Sequence, residues 1–313
     1  MENRKPFYII IGGPTGVGKT KVSIEIAKEF DGEIINADSR QIYRDFNIGT
    51  GKPSDEEFSS IPHHLFDILD GRDRFSAYEY MEKASSLIKE LVKRKKVPIV
   101  VGGTGLYIRS LLYGLFPEGE RDEDLRKKIV EEGESRGWDY LYSKLKEIDK
   151  DYAEKINSND KIRIIRALEV YYKTGRTITE NFKSTQTPLK DFYPIKIFLN
   201  EKRSILYEKI NRRVEKMFEM GLLEEITSLL KRGYDEKAPA FQSIGYKYGL
   251  MYLEGKIELE EAIKKMQRDT RHYAKRQIVW FKKEKGFQHF NPKPVEKIIE
   301  FIKKEIRWKE LSL

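Results

Sequence analysis

The sequence predicts an α/β fold in which a parallel sheet is flanked by helices and carries an inserted all-helical subdomain. Three short apolar runs, at 7–11, 33–37 and 97–101, alternate with segments of helical periodicity, the pattern that builds parallel sheets. Residues 118–190 are charged, helical in pattern and poor in strand signals. From Ile205 onward the pattern is helical again, which predicts a helical C-terminal part.

The first βαβ unit is the best defined part of the pattern. Its helix is predicted from Lys19 to Phe30, because Val22, Ile26 and Phe30 lie on one stripe and Asp31-Gly32 ends the helix. The other predicted elements are strands at 7–11, 33–37, 97–101 and 192–199 and a helix at about 77–95. The sequence thus predicts a core made of residues 1–117 and 191–313, with residues 118–190 inserted as a helical domain. In this domain Ile162, Ile165, Leu168 and Tyr172 are predicted to share one apolar helix face.

Composition narrows the function classes. The 313 residues include 60 Lys and Arg against 51 Asp and Glu, a net charge of +9, which favours a polyanionic partner unless the charges are only solvated surface. The absence of cysteine excludes disulfides, thiolate metal sites and a cysteine nucleophile. The apolar run that ends before Gly12 is too short for a signal sequence or a membrane span. We therefore expect a cytoplasmic protein without a membrane partner, and we expect it to act as a monomer.

A phosphate-binding motif follows the first strand. Residues 13–20 read GPTGVGKT, which is G-x-x-x-x-G-K-[ST] between a predicted strand and a predicted helix. Lys19 supplies a positive charge, Thr20 can offer its hydroxyl to Mg²⁺, and the helix directs its positive end at the anion. The motif predicts that this P-loop NTPase-like sheet holds a di- or triphosphate at Gly13, Pro14, Thr15, Gly16, Val17, Gly18, Lys19 and Thr20.

Two other strands end in polar residues beside this loop. Asp38 follows the second strand and Thr104 follows the strand at 97–101, so both are expected at the same edge of the sheet. The strand at 97–101 ends in Gly-Gly-Thr and lacks the aspartate that phosphoryl-transfer enzymes usually carry there. Asp38 fits two interpretations equally: it can support a metal or accept a proton, or it can form an Asx turn or helix cap.

A basic helix is predicted near the C-terminus, over residues 267–285. Arg268, Arg271, Lys275 and Lys282 fall within an arc of about 60° on this helix, and Asp269 and Glu284 are its only acids. We interpret the stripe as a polyanion-binding surface, the alternative being a solvated face. Tyr273 and Trp280 lie nearby, and we expect them in the core rather than in stacking contacts.

With these residues in view, the chain closely resembles the bacterial tRNA dimethylallyltransferase (tRNA isopentenyltransferase) family over nearly its whole length. The joint order and spacing of the matching segments carry the resemblance. They are GPTGVGKT at 13–20, DSRQIY at 38–43, IGTGKP at 48–53, PHHLFD at 62–67, GGTGLY at 102–107, RIIRALE at 163–169 and YAKRQ at 273–277. Gly16 stands where the family usually has Ala or Ser.

The resemblance implies a prenyl transfer. Dimethylallyl diphosphate would be the donor, diphosphate would be the leaving group, and Mg²⁺ would be the cofactor. The nucleophile would be N6 of the adenosine at position 37, just 3′ of the tRNA anticodon. By this resemblance Asp38 is the general base, Thr104 contacts the reaction centre and tRNA, and Arg213 reaches the diphosphate. The residues expected to bind the tRNA anticodon stem-loop are Asp38, Ser39, Arg40, Gln41, Thr104, Arg126, Arg163, Arg166, Arg271, Lys275 and Arg276.

Three other functional interpretations fit part of the sequence pattern. A P-loop small-molecule kinase would transfer a phosphoryl group and would not need the basic helix. An isopentenyltransferase acting on free adenine nucleotides would lack the long insertion and the basic stripe. A non-catalytic nucleic-acid-binding module is disfavoured by the presence of Lys19, Thr20 and Asp38 together.

Overall fold

The computed structural model describes residues 5–116 and 122–311 and divides the chain into two compact units. The core unit consists of the chain up to Leu112 together with the chain from Leu189 onward. The helical unit is Tyr113–Pro188. The insert predicted at 118–190 begins at a residue that lies outside the described residues.

The core unit is built on one six-stranded sheet in which every paired strand is parallel, as predicted. The strand order is β3-β2-β4-β1-β5-β6. The strands are β1 (Phe7–Gly12), β2 (Gly32–Asn36), β3 (His63–His64), β4 (Val97–Gly102), β5 (Tyr193–Leu199) and β6 (Gln288–Phe290). The two edge strands were not predicted, because two and three residues are too few to show a strand pattern; β6 also interrupts the helical run expected after Ile205.

Helices cover the sheet, and the described residues of the helical unit form helices joined by loops. They are α1 (Lys19–Phe30), α2 (Asp55–Ser60), α3 (Ala77–Lys93), α4 (Gly105–Tyr113), α5 (Glu123–Arg136), α6 (Trp138–Ile148), α7 (Lys150–Ala153), α8 (Lys161–Thr174), α9 (Ile178–Ser184), α10 (Arg203–Glu219), α11 (Leu222–Lys231), α12 (Ile244–Leu253), α13 (Leu259–Lys283) and α14 (Glu296–Leu311). The predicted bounds of α1 are confirmed at both ends. Within the described residues no helix is both long enough and apolar enough to cross a bilayer.

Buried apolar clusters hold the core unit together. A first cluster packs against the central strands, where Ile9, Ile11 and Ile197 are fully buried. This burial explains why those strands read as continuous apolar runs, since helices cover both faces of a parallel sheet. The second cluster surrounds Phe46, whose ring makes edge contacts with Tyr234, Phe241 and Tyr246. This cluster packs the segment after β2 against α11 and α12.

The helical unit has its own core, which includes Leu141, Leu145 and Leu168. The apolar face predicted for α8 is wrong in part, because Ile162 is 72% exposed and Tyr172 39% exposed. These two residues lie in the first and last turns of α8, whereas residues 164–170 are buried apart from the half-buried Arg166. Burial in α8 therefore depends on position along the helix rather than on a single face.

Candidate active site

The phosphate loop joins the end of β1 to the start of α1. Gly18 is the residue before the helix and has a φ of 101°, in the left-handed region that glycine adopts without strain. The loop borders a cavity of about 470 Å³, and Thr15, Lys19 and Thr20 are among the residues that line it. The amides of the first turn of α1 and the helix dipole make this cavity an anion site.

Lys19 folds back over the loop. Its Nζ donates hydrogen bonds to the carbonyl oxygens of Gly13, at 3.0 Å, and Pro14, at 2.9 Å. Burial lowers the pKa of Lys19 to about 8; nearby Asp38 acts in the opposite direction and Arg213 lowers the value further. A bound anion would stabilise the charged ammonium that burial disfavours.

Arg213 approaches the same loop from α10. Its Nη1 donates to Thr15 Oγ1 at 3.3 Å, and its Nη2 donates to the carbonyl of Gly51 at 3.0 Å. Gly51 has a φ of 61°, and a Cβ at this position would overlap the guanidinium group. Burial lowers the pKa of Arg213, while Asp38 and Glu57 raise it. Two half-buried cations, Lys19 and Arg213, therefore face one cavity.

Asp38 follows β2 and lines this cavity as well as a second cavity described below. Its Oδ1 accepts a hydrogen bond from the Arg40 amide at 2.9 Å, which is the Asx-turn contact expected in one of the two interpretations. The Asn36 side chain holds the backbone of Asp38, accepting from its amide at 2.8 Å and donating to its carbonyl at 3.1 Å. The turn orients the carboxylate without burying it, so the two interpretations of Asp38 are compatible.

Thr104 follows β4 and contacts the segment that carries Asp38. Its Oγ1 accepts from the Ser39 amide at 2.9 Å and donates to Ser39 Oγ at 3.3 Å. Tyr273, on α13, has a pKa that burial and nearby Asp38 raise, whereas Thr104 lowers it. Tyr273 was expected only in the core, whereas the structure places it in the lining of the second cavity.

The second cavity has a volume of about 360 Å³ and adjoins the phosphate cavity. The residues that line both cavities are Thr15, Asp38, Thr50 and Arg213. The second cavity has an apolar part formed by Ile210, Val214, Met217, Ile244 and Met266. The site thus places a carboxylate between an anion pocket and a partly apolar chamber.

Gln277 connects α13 to both ends of the site. Its Oε1 accepts from the Thr15 amide at 2.9 Å, and its Nε2 donates to the carbonyl of Gly103 at 3.0 Å. The side chain is only 5% exposed. No role was predicted for Gln277, although it ends the segment at 273–277, because its partners lie more than 170 residues away in the chain.

The three residues after Asp38 line different cavities. Ser39 and Arg40 line the second cavity, and Gln41 lines the phosphate cavity. The Nη1 atom of Arg40 donates to the carbonyl of Pro239 at 3.1 Å. The Nε2 atom of Gln41 donates to the carbonyls of Thr50 and Gly51 at 3.3 and 2.8 Å.

The basic face of α13 is less uniform than its sequence indicates. Lys275 and Arg276 are exposed, and Arg276 also lines the second cavity. Arg271 is half-buried, since its Nη1 donates to Asn211 Oδ1 at 2.7 Å and its guanidinium lies 5.8 Å from the ring centre of Tyr207. Trp280 is half-buried and its ring lies against Gly105, in keeping with a packing role.

The helical unit holds the other three arginines expected to contact RNA. Arg126 and Arg166 both pair with Glu169 Oε2, at 3.5 and 3.3 Å, although Glu169 is only 1% exposed. Arg163 is directed outward, with its side chain 61% exposed, and pairs with Asp160 at 3.3 Å. A single buried carboxylate thus orients two of the arginines.

The oxygen donors beside the phosphate loop suit Mg²⁺. Thr20, Asp38 and Glu57 line the phosphate cavity. Within the described parts of the chain no group of three or more histidines and acids is arranged to hold a metal. This donor set fits an ion that keeps several waters and binds mainly through substrate phosphates, as Mg²⁺ commonly does.

The chain is similar to proteins of one family. The family model described as IPP transferase matches residues 41–284. The tRNA dimethylallyltransferase of Caldanaerobacter subterraneus is 48% identical over 88% of each chain, and that of Alkaliphilus metalliredigens is 45% identical over 96% of this chain and 97% of its own.

Solved structures show the same fold. The full-length tRNA isopentenylpyrophosphate transferase of Bacillus halodurans superposes with a TM-score of 0.72 at 37% identity and covers 98% of both chains. A eukaryotic dimethylallyltransferase acting on tRNA gives a TM-score of 0.74 at 36% identity, over 88% of this chain and 70% of its own. The chain belongs to the IPP transferase family, the family of the tRNA dimethylallyltransferases.

Proposed function

We propose that the protein transfers a dimethylallyl group from dimethylallyl diphosphate to N6 of adenosine 37, just 3′ of the anticodon in tRNA, and releases diphosphate. The observation that carries the proposal is the position of Asp38 where the two cavities adjoin, with Lys19 and Arg213 beside the phosphate loop. An anion pocket next to a partly apolar chamber suits a ligand with a diphosphate head and a short hydrocarbon tail. Every proposed catalytic group comes from one chain, so the proposal includes activity as a monomer.

The leaving group is stabilised by fixed positive charge. As the bond between C1 and oxygen breaks, its electron pair goes to the diphosphate, whose negative charge rises. Lys19, Arg213 and the backbone N–H groups of the phosphate loop are proposed to take up this charge, and their partial burial reduces screening by water. Thr20, with Asp38 and Glu57 nearby, is proposed to hold Mg²⁺, which would neutralise part of the diphosphate charge.

The nucleophile needs a base because the lone pair of an adenine amino group is delocalised into the ring. Asp38 is proposed to accept the N6 proton as the bond from N6 to C1 forms. The Arg40 amide holds one carboxylate oxygen, and the Asn36 side chain holds the backbone beneath it, so the carboxylate has a fixed orientation. Thr104 and Tyr273 are proposed to position the adenine beside Asp38.

The acceptor is proposed to be tRNA because basic side chains are exposed in both units. Lys275 and Arg276 on α13 and Arg163 on α8 are exposed, and we propose that they bind phosphates of the RNA backbone. The solved eukaryotic relative is described as acting on tRNA. Entry into the second cavity requires the target base to leave its stack, as in other base-modifying enzymes.

The proposal is tested by offering the purified protein labelled dimethylallyl diphosphate with either unmodified tRNA or AMP. A separate reaction contains ATP and no prenyl donor. We expect label in tRNA alone, and we expect tRNA with adenosine 37 replaced by guanosine to stay unlabelled. Label in AMP would identify a nucleotide prenyltransferase. Phosphoryl transfer from ATP would identify a kinase.

A further inference from the structure

The carboxylate of Glu225, on α11, binds three consecutive backbone amides of the segment after β2. It accepts from Asn47 N at 3.1 Å, from Ile48 N at 2.9 Å and from Gly49 N at 3.3 Å. It also accepts from the hydroxyl of Tyr246 at 2.7 Å. Successive amides that converge on one anion form a concave site of the kind that binds phosphates, and here a side chain of the protein occupies it.

The bound segment, residues 47–51, leads directly to the diphosphate site. The carbonyl oxygen of its last residue, Gly51, accepts hydrogen bonds from Arg213 Nη2 at 3.0 Å and from Gln41 Nε2 at 2.8 Å. Thr50 closes the turn by donating its hydroxyl to the Phe46 carbonyl at 2.7 Å. Glu225 thus fixes the start of a five-residue loop. The end of this loop, at Gly51, binds the guanidinium of Arg213 beside the anion pocket.

The four groups that contact Glu225 are all hydrogen-bond donors, so residue 225 must supply acceptors. Backbone amides only donate, and burial together with Glu225 raises the pKa of Tyr246 far above its usual value, which keeps its hydroxyl a donor. A glutamine at position 225 would keep the length and one carbonyl oxygen but would turn an NH₂ group toward N–H donors. The loop would then lose its anchor while the side-chain volume stays the same.

We propose that Glu225 is a positioning residue for the diphosphate donor: it holds residues 47–51 so that the Gly51 carbonyl fixes the guanidinium of Arg213. This inference rests on the proposed function, in which Arg213 contacts the diphosphate. Glu225 does not line either of the two cavities, so it acts through the loop and not on the substrate.

The test compares Glu225→Gln with Glu224→Gln, which removes the same charge one residue away at an exposed position. Losing one charged anchor should raise the Kd of inorganic pyrophosphate and the KM of dimethylallyl diphosphate about tenfold. We expect kcat to fall as well, because Arg213 also stabilises the leaving diphosphate, whereas the Kd of an anticodon stem-loop should change less than about threefold. We expect Glu224→Gln to match the wild type. Tyr246→Phe removes one donor and keeps the ring, so a smaller rise in the same two constants should follow.

The double variant separates positioning from a general loss of structure. If Glu225 acts through Arg213, adding Glu225→Gln to Arg213→Lys should weaken pyrophosphate binding less than about twofold further. Additive losses, or unchanged pyrophosphate affinity in both Glu225→Gln and Tyr246→Phe, would overturn the positioning role. Failure of the wild-type protein to bind pyrophosphate would instead overturn the proposed function.

Discussion

Raising the pH should weaken diphosphate binding through Lys19. In the free protein burial holds the pKa of this ammonium at about 8 instead of 10.5. A bound diphosphate favours the charged form and raises the pKa again. Below pH 8 the ammonium is already protonated when the ligand arrives, whereas above pH 8 binding must first take up a proton. The affinity is therefore highest below pH 8 and falls as the pH rises beyond it.

The size of the effect follows from the fraction of charged Lys19. With a pKa of about 8, roughly nine tenths of the free protein carries the charge at pH 7 and roughly one tenth at pH 9. The association constant should thus fall about tenfold between these values. Binding should take up nearly one proton at this residue at pH 9 and about a tenth of a proton at pH 7.

Titration calorimetry with inorganic pyrophosphate, in two buffers of different ionisation enthalpy, measures both quantities. Lys19→Arg is the matched control, because its guanidinium stays charged across this range and the titration of pyrophosphate itself cancels in the comparison. We expect the wild type to lose about ten times more affinity than the control between pH 7 and 9. Equal pH dependence and equal proton uptake in the two proteins would refute the reasoning.

Three further predictions concern other parts of the site. Asp38→Asn should lower kcat by about 10²–10⁴, with pyrophosphate and tRNA affinities little changed in binding assays; equal losses in rate and affinity would make Asp38 structural. Gln277→Met leaves the Thr15 amide and the Gly103 carbonyl without their hydrogen bonds to this side chain, so the free energy of unfolding should fall by about 2–4 kcal/mol in thermal unfolding. An unchanged Tm would show that these hydrogen bonds do not stabilise the protein. Lys275→Gln should reduce the slope of log K against log salt for tRNA by about 0.7–0.9, and Arg271→Gln by less, because Arg271 is half-buried. The reverse order would place Arg271 on the RNA surface.

Local patterns in the sequence were enough to predict the elements that form the anion site. The apolar run of β1, the glycine-rich loop and the stripe on α1 are each defined within about twelve residues, so both ends of α1 agree with the prediction. Asp38 shows the limit of such reasoning. Its residue type fits both an Asx turn and a catalytic carboxylate, and the structure shows that the turn is formed while the residue still lines both cavities.

The supporting contacts could not be read from the sequence because they join distant parts of the chain. Gln277 meets Thr15 across 262 residues, and Glu225 meets Asn47 across 178. Neither residue belongs to a pattern with a recognisable period. The same limit applies to α8, where the periodicity of Ile162 and Tyr172 fits a buried face but both ends of the helix are exposed.

We propose that Asp38 and the phosphate loop act together on an adenine amine and a prenyl diphosphate. Mass spectrometry of nuclease digests of tRNA, after reaction with dimethylallyl diphosphate and Mg²⁺, tests this joint action most directly. We expect one added dimethylallyl group, on the adenosine just 3′ of the anticodon, and one diphosphate released per modified tRNA. Unmodified RNA together with transfer of the terminal phosphate of ATP to an acceptor would contradict it.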